Sequence, residues 1–252
     1  MTFDRAYHWW NLIHAAVLTV ATVAVVAVHQ IGEEGMLAGA WSVPLQAIAV
    51  WSGMALLGLY WASRRLDSPR RGYWIPDVLT SVRGVAAVVL FWVLPGAERW
   101  PAMTIWIVGA VLALVEVTDF FDGRLARRFG ASSFGAVWDM ENDALFTLSL
   151  SLLVYLRYGV APFLILLGLM RYLYVLVWRF DRDPVTVSPA YKRFAKIAAA
   201  AIVATLIAAV APIVPPAVRS TALMLVLGMQ LVSFGWDLVL QYRALRLSGQ
   251  RI

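Results

Sequence analysis

The chain has 252 residues, 62% of them hydrophobic and 14% charged, with a formal net charge of +6 and no cysteine. That mixture excludes an ordinary soluble domain and describes a polytopic membrane protein, and without cysteine there are no disulfides, thiol chemistry, Cys-ligated metals or iron–sulfur clusters. The basic residues sit in short segments between apolar stretches, so the expected partners are anionic lipid headgroups and not nucleic acid.

Eight apolar segments follow one another: Asn11 to His29, Leu37 to Ala62, Asp77 to Leu94, Ala102 to Phe121, Phe134 to Leu156, Ala161 to Phe180, Ala195 to Val214 and Ala217 to Leu240. Each approaches or exceeds the roughly 20 residues a bilayer core requires, which predicts an all-α bundle of about eight transmembrane helices. No alternating pattern of a membrane barrel is present. Met1 to Trp10 carries one arginine and one aspartate, and the apolar run after it is long enough to span, so no cleavable signal peptide is expected. An even helix count puts both termini on one side. Fifteen of the 21 Lys and Arg residues fall on that side, three on the other, and Arg83, Arg171 and Arg179 lie within helices. The fifteen mark the cytoplasmic face, which in a bacterium means the inner membrane.

The two leading helices carry no charge within the membrane and are expected to pack on the core or support oligomerisation. Their Trp9, Trp10, Trp51, Tyr60 and Trp61 suit interfacial anchoring. Ser63 to Pro76, SRRLDSPRRGYWIP, is basic and proline-punctuated, the clearest boundary in the chain and a candidate interfacial segment. The third segment opens PDVLTSVR. Asp77 is a candidate helix cap beside Pro76, and Thr80 and Arg83, one turn apart, are expected to face the bundle.

The stretch from Asp119 to Asp143 reads DFFDGRLARRFGASSFGAVWDMEND. Asp119 and Asp122 are three apart, Asp139 and Asp143 four apart, and either spacing sets both carboxylates on one face of a helix. Four carboxylates at a membrane boundary would raise one another's pKa and not stay ionised together without cations, so the economical reading is a cage for one or two hard divalent metals. Gly123 lets backbone approach a phosphate, and Arg127 offers a fork of donors suited to a pyrophosphate. Arg124 and Arg128 are read as solvated loop charges. Gly135 leaves room beside Asp139. Glu141 points about 200° from Asp139 on a helix and is excluded from the cage. Glu116, within the membrane, needs a partner, for which Arg171 is the candidate. Asp237 is read as one half of a buried pair.

Asp119, Asp122-Gly123, Ala126-Arg127, Gly135, Asp139 and Asp143, at these spacings, resemble the signature of the CDP-alcohol phosphotransferase family. The resemblance implies an integral membrane enzyme that moves a phospho-lipid or phospho-headgroup from a CDP-linked donor to an alcohol and releases CMP. It implies a six-helix catalytic core over residues 76–252, with residues 1–75 a two-helix extension and linker. Asp119, Asp122, Asp139 and Asp143 would bind Mg²⁺ or Mn²⁺, two ions in all, and Asp143 would act as general base. Asp122, Gly123, Ala126, Arg127, Gly135 and Thr80 would contact the donor nucleotide. In the family an asparagine commonly occupies the place of Asp77, and a glutamate that of Tyr172, after the first of two arginines placed like Arg171 and Arg179. Those two arginines are candidates for the acceptor pocket, and Arg182, Lys192, Arg193 and Lys196 form a basic rim near it. The favoured donor is CDP-diacylglycerol, although DMEND followed by Ala144 departs from the form associated with phosphatidylglycerophosphate synthases. The opposite assignment, a CDP-headgroup donor with a lipid alcohol acceptor, stays open. A homodimer is implied by the resemblance alone. The rival class is a cation-coupled transporter, which calls for charges near the midplane and repeated halves.

Overall fold

The computed structural model describes residues 3–32, 40, 42–66, 74–129, 133–177 and 188–248, with side-chain surroundings at 7–31, 40, 42–61, 80–117, 135–177 and 188–243. Among the described residues are eight α-helices and no strand: α1 (Phe3–Gly32), α2 (Ser42–Leu66), α3 (Trp74–Val93), α4 (Ala102–Phe129), α5 (Ser133–Tyr158), α6 (Leu166–Val177), α7 (Pro189–Val210) and α8 (Pro216–Ser248). Short 3₁₀ turns at Leu94–Arg99 and Pro162–Ile165 lead into α4 and α6. Five stretches are long and apolar enough to cross a bilayer, and Ala102–Val117 and Pro162–Val177 are shorter apolar helices. The remaining helix, α5, has 26 residues but carries Asp139, Glu141 and Asp143 in its first half. The chain is thus a polytopic helical membrane protein.

Several helices run beyond the apolar segments that announce them. α4 continues through Asp122, Arg124 and Arg128 to Phe129, so Gly123, Arg124, Arg127 and Arg128 are helical and not in a loop. Hydropathy marks where the hydrocarbon ends, whereas Arg, Leu and Ala are strong helix formers that carry the coil beyond it. α7 likewise starts at Pro189, capped by the Ser188 hydroxyl, which accepts from the Tyr191 amide at 3.2 Å. Lys192, Arg193 and Lys196 therefore stand on its first turns. α3 begins at Trp74, which puts Asp77 inside the first turn and not at the cap. An acidic residue there is favoured by the helix dipole.

α5 is the axis of the bundle, packed against α3, α6 and α7. From Leu145 to Leu156 every residue except Thr147 is buried, the pattern of a helix enclosed on all sides. Its buried serines are satisfied within the helix: Ser149 donates to the Phe146 carbonyl at 2.8 Å and Ser151 to that of Leu148 at 2.9 Å. Two glycines set how closely its neighbours approach. A Cβ at Gly84 of α3 would strike the Asn142 amide and Leu56, and one at Gly168 of α6 would strike the Leu148 backbone and Ser151. The helix stops at Gly159, whose φ of +59° few other residues accept.

Away from the motif end, Arg219 is buried and donates to the carbonyls of Ala209 (2.8 Å) and Ala211 (3.2 Å), closing the end of α7. Its guanidinium lies 3.4 Å from the Tyr158 ring centroid. On that end too, His29 meets Glu98 at 2.8 Å and Gln30 donates to the Tyr155 hydroxyl at 2.8 Å, tying α1 to the 3₁₀ turn and to α5.

The two leading helices pack on the bundle, α1 against α2 and α6 and α2 against α3. Two of their tryptophans are not interfacial anchors. Trp10 donates to the Ala55 carbonyl and Trp51 to His14 Nδ1, each at 3.1 Å, because an indole N–H inside the bundle needs a protein acceptor. Trp9 and Trp61 are exposed.

Candidate active site

The sequence motif is divided between the last three turns of α4 and the first three of α5. Asp119, Asp122, Gly123, Ala126 and Arg127 lie on α4, but their side chains fall outside the described residues, as does all of Arg179. The α5 half is described in full. Asp139 and Asp143, one turn apart, are about half exposed, at 50% and 44% of their side chains, while the arginine that holds them is 4% exposed.

That arginine is Arg83. From α3, its Nη2 donates to Asp139 Oδ1 at 2.6 Å, and its Nη1 pairs with Asp143. One guanidinium spans both carboxylates, fixing their rotamers and offsetting their mutual repulsion. Thr80, one turn before Arg83, is buried on the same helix. Trp138 reinforces the interface by donating from its indole to Ser81 Oγ at 3.2 Å. Asn142, fully buried, donates to the Trp138 carbonyl at 2.6 Å. Gly135 lies one turn before Asp139.

Glu141 turns away from these aspartates, as the helical spacing requires, and is fully buried. Arg171 of α6 donates to it at 2.5 Å and the Tyr7 hydroxyl of α1 at 2.6 Å. Arg171 also donates to Tyr7 at 3.3 Å. The expectation that Arg171 serves Glu116 is corrected: its carboxylate partner is Glu141, which comes within reach because α5 presents opposite faces to α3 and α6. Among the described residues Asp237 has no cationic partner, which corrects the buried-pair expectation. It accepts from the Tyr174 hydroxyl and, at 2.6 Å, from the Gln241 amide, neutral donors that satisfy a carboxylate without a second charge. Tyr7 was not singled out by sequence, because an aromatic near a helix end reads as an anchor; the Asn11 amide one turn on, donating to its hydroxyl at 3.3 Å, is the weak signal that it faces inward.

Among the described residues no group of three acidic or histidine side chains gathers to hold a metal. What they do present is a pair of adjacent, half-exposed carboxylates, and oxygen donors of this kind suit hard divalent cations. The arrangement fits such an ion provided the α4 aspartates complete it.

The described half of the site is a pair of arginine-bound carboxylates near the start of the central helix of a membrane-protein bundle. A profile of the CDP-alcohol phosphatidyltransferases matches residues 73–234, and the chain belongs to that family. The match begins just before α3, and α1 and α2 lie outside it. The chain is 38% identical over 98 residues to a CDP-diacylglycerol–glycerol-3-phosphate 3-phosphatidyltransferase of Cereibacter sphaeroides, an alignment covering 36% of this chain and 41% of that protein. No solved structure matches the chain significantly.

Proposed function

We propose that this protein transfers a phosphatidyl group from CDP-diacylglycerol to the hydroxyl of a phosphorylated polyol, of the glycerol 3-phosphate class, and releases CMP. The observation that carries this reading is the pair Asp139 and Asp143, set on one face of α5 and spanned by Arg83, within a motif whose other half lies on α4. The name of the Cereibacter sphaeroides relative supports the choice of donor and acceptor.

In this reading Asp119, Asp122, Asp139 and Asp143 hold Mg²⁺ or Mn²⁺, two ions in all, which when bound supply charge neutralisation for the diphosphate. Arg127, with the backbone at Gly123 and Ala126, orients the donor, which Asp122, Gly135 and Thr80 also contact. Asp143 takes the proton of the acceptor hydroxyl. The hydroxyl oxygen forms a bond to the phosphatidyl phosphorus while the bond from that phosphorus to the bridging oxygen breaks, and CMP departs with that oxygen. Arg83 holds the Asp143 carboxylate in place for that step. Arg179 and the basic residues on the first turns of α7 draw in the anionic acceptor. Arg171 backs the pocket through Glu141. The excess of basic residues at the motif end supports a site facing the cytoplasm from the inner membrane, and a homodimer is the assembly we infer.

The test is CMP formation by purified protein in mixed micelles of CDP-diacylglycerol, with glycerol 3-phosphate and a panel of other alcohols as acceptors, with and without EDTA. CMP release that depends on acceptor and is lost with EDTA is the expected result. No release with any acceptor, or release indifferent to chelation, would reject the proposal.

A further inference from the structure

Two arginine–carboxylate grips hold α5 from opposite sides at the same level. From α3, Arg83 binds Asp139 and Asp143; from α6, Arg171 binds Glu141, which lies between them in sequence. The second grip is completed by an element outside the family match. Tyr7, on α1, donates its hydroxyl to the same Glu141 carboxylate at 2.6 Å and accepts from both Arg171 and Asn11 at 3.3 Å. Tyr7 is itself anchored: its ring stacks on Trp10 with centroids 6.0 Å apart, and Trp10 stacks on His14 at 4.6 Å. His14 is held by the Trp51 indole and meets the Tyr172 ring edge-on at 5.8 Å. A chain of packed rings thus runs from α2 through α1 to α6 and ends on the back of the helix whose front bears the aspartates.

We propose that Tyr7 is a positioning residue for the transfer reaction: by holding Glu141 it fixes the rotation of α5 about its axis and so the aim of Asp139 and Asp143. This gives the leading helices a part in the chemistry of the core. Rotation is the sensitive coordinate because residues on one helix move together. A turn of α5 that loosened Glu141 would carry both aspartates across the face of Arg83. Reacting groups misplaced by about 1 Å can lose two orders of magnitude in rate. The inference rests on the role given above to Asp139 and Asp143.

The test uses Tyr7→Phe in the full chain, which keeps the ring stack and removes only the hydroxyl. Because the protein has no cysteine, single thiols introduced as Ala136→Cys, exposed, and Ala144→Cys, buried, report the setting of α5 by their rates of reaction with a small methanethiosulfonate reagent. Tyr7→Phe should lower kcat for CMP release about tenfold, with KM for CDP-diacylglycerol within about twofold of the parent, as for loss of an outer support of reacting ligands. It should also speed labelling at position 144 several-fold relative to position 136. An unchanged kcat, a rise in KM alone, or equal acceleration at both thiols, which would mean general loosening, overturns the proposal. Should the parent protein release no CMP, the reaction assigned above falls, and the ratio of labelling rates still decides whether Tyr7 sets α5.

Discussion

Arg83 and Asp139 meet across the α3–α5 interface at 2.6 Å, and the pairing is lopsided: the arginine is buried and the aspartate half exposed. Removing the two partners therefore has different consequences. Arg83→Met leaves two half-exposed carboxylates, with the Asp143 oxygen it had held still buried, so its stability cost is about 1–2 kcal/mol. Its effect on turnover is larger, roughly 10- to 100-fold, since the carboxylates lose the group that orients them. Replacing Asp139 and Asp143 together leaves the guanidinium buried without them and should cost several kcal/mol, about 3–5 for a fully buried pair. Thermal unfolding in detergent beside CMP-release rates distinguishes the two cases.

Asp143→Asn should abolish turnover while CDP still binds, because the amide keeps the shape of the side chain but cannot take a proton. Asp122→Asn should instead raise the Mg²⁺ concentration needed for half-maximal rate. Equilibrium binding of CDP, with rates measured across a magnesium series, separates the roles. Near-normal turnover in Asp143→Asn removes it from the part of base.

Glu141 has no exposed surface and Arg171 little. Glu141→Ala strands a charged guanidinium inside the bundle and should lower stability by about 3–5 kcal/mol. Glu141→Gln with Arg171→Gln in the same chain removes both charges and should recover much of that loss. A double variant whose loss equals the sum of the Glu141→Gln and Arg171→Gln losses would show that the pair does not act as a unit.

Gly168→Ala should be felt although it adds a single methyl, because that carbon would collide with the Leu148 backbone on the central helix. Moving α6 off α5 costs about 1–3 kcal/mol by the usual scale of overpacking. Gly58→Ala and Gly228→Ala, where nothing lies within 4 Å, should be neutral or slightly stabilising. Melting temperatures of the three variants make the comparison.

The number and class of helices were legible because a membrane core demands long apolar runs, and the aspartate spacing was legible because a helix repeats every 3.6 residues. Where each helix ends was not. Lys192 and Arg124 look like loop residues by charge, yet both are helical, since nothing in their side chains breaks a helix. The pairing of charges was harder still. Arg83, Arg171, Glu116, Glu141, Asp139 and Asp143 admit several matchings in a linear sequence, and only the order in which helices surround α5 selects one. Trp10, Trp51 and Tyr7 were hidden for a related reason: an aromatic with a polar tip suits a membrane interface and a buried hydrogen bond equally.

Because α5 is sheathed by α3, α6 and α7 along most of its length, acyl chains barely touch the helix that carries half of the acidic motif. Thinning, thickening or chilling the bilayer acts first on the outer helices, and reaches Asp139 and Asp143 only as far as those neighbours tilt against their own side-chain contacts. Under the proposed reaction the protein would act on lipid while Asp139 and Asp143 answer to protein.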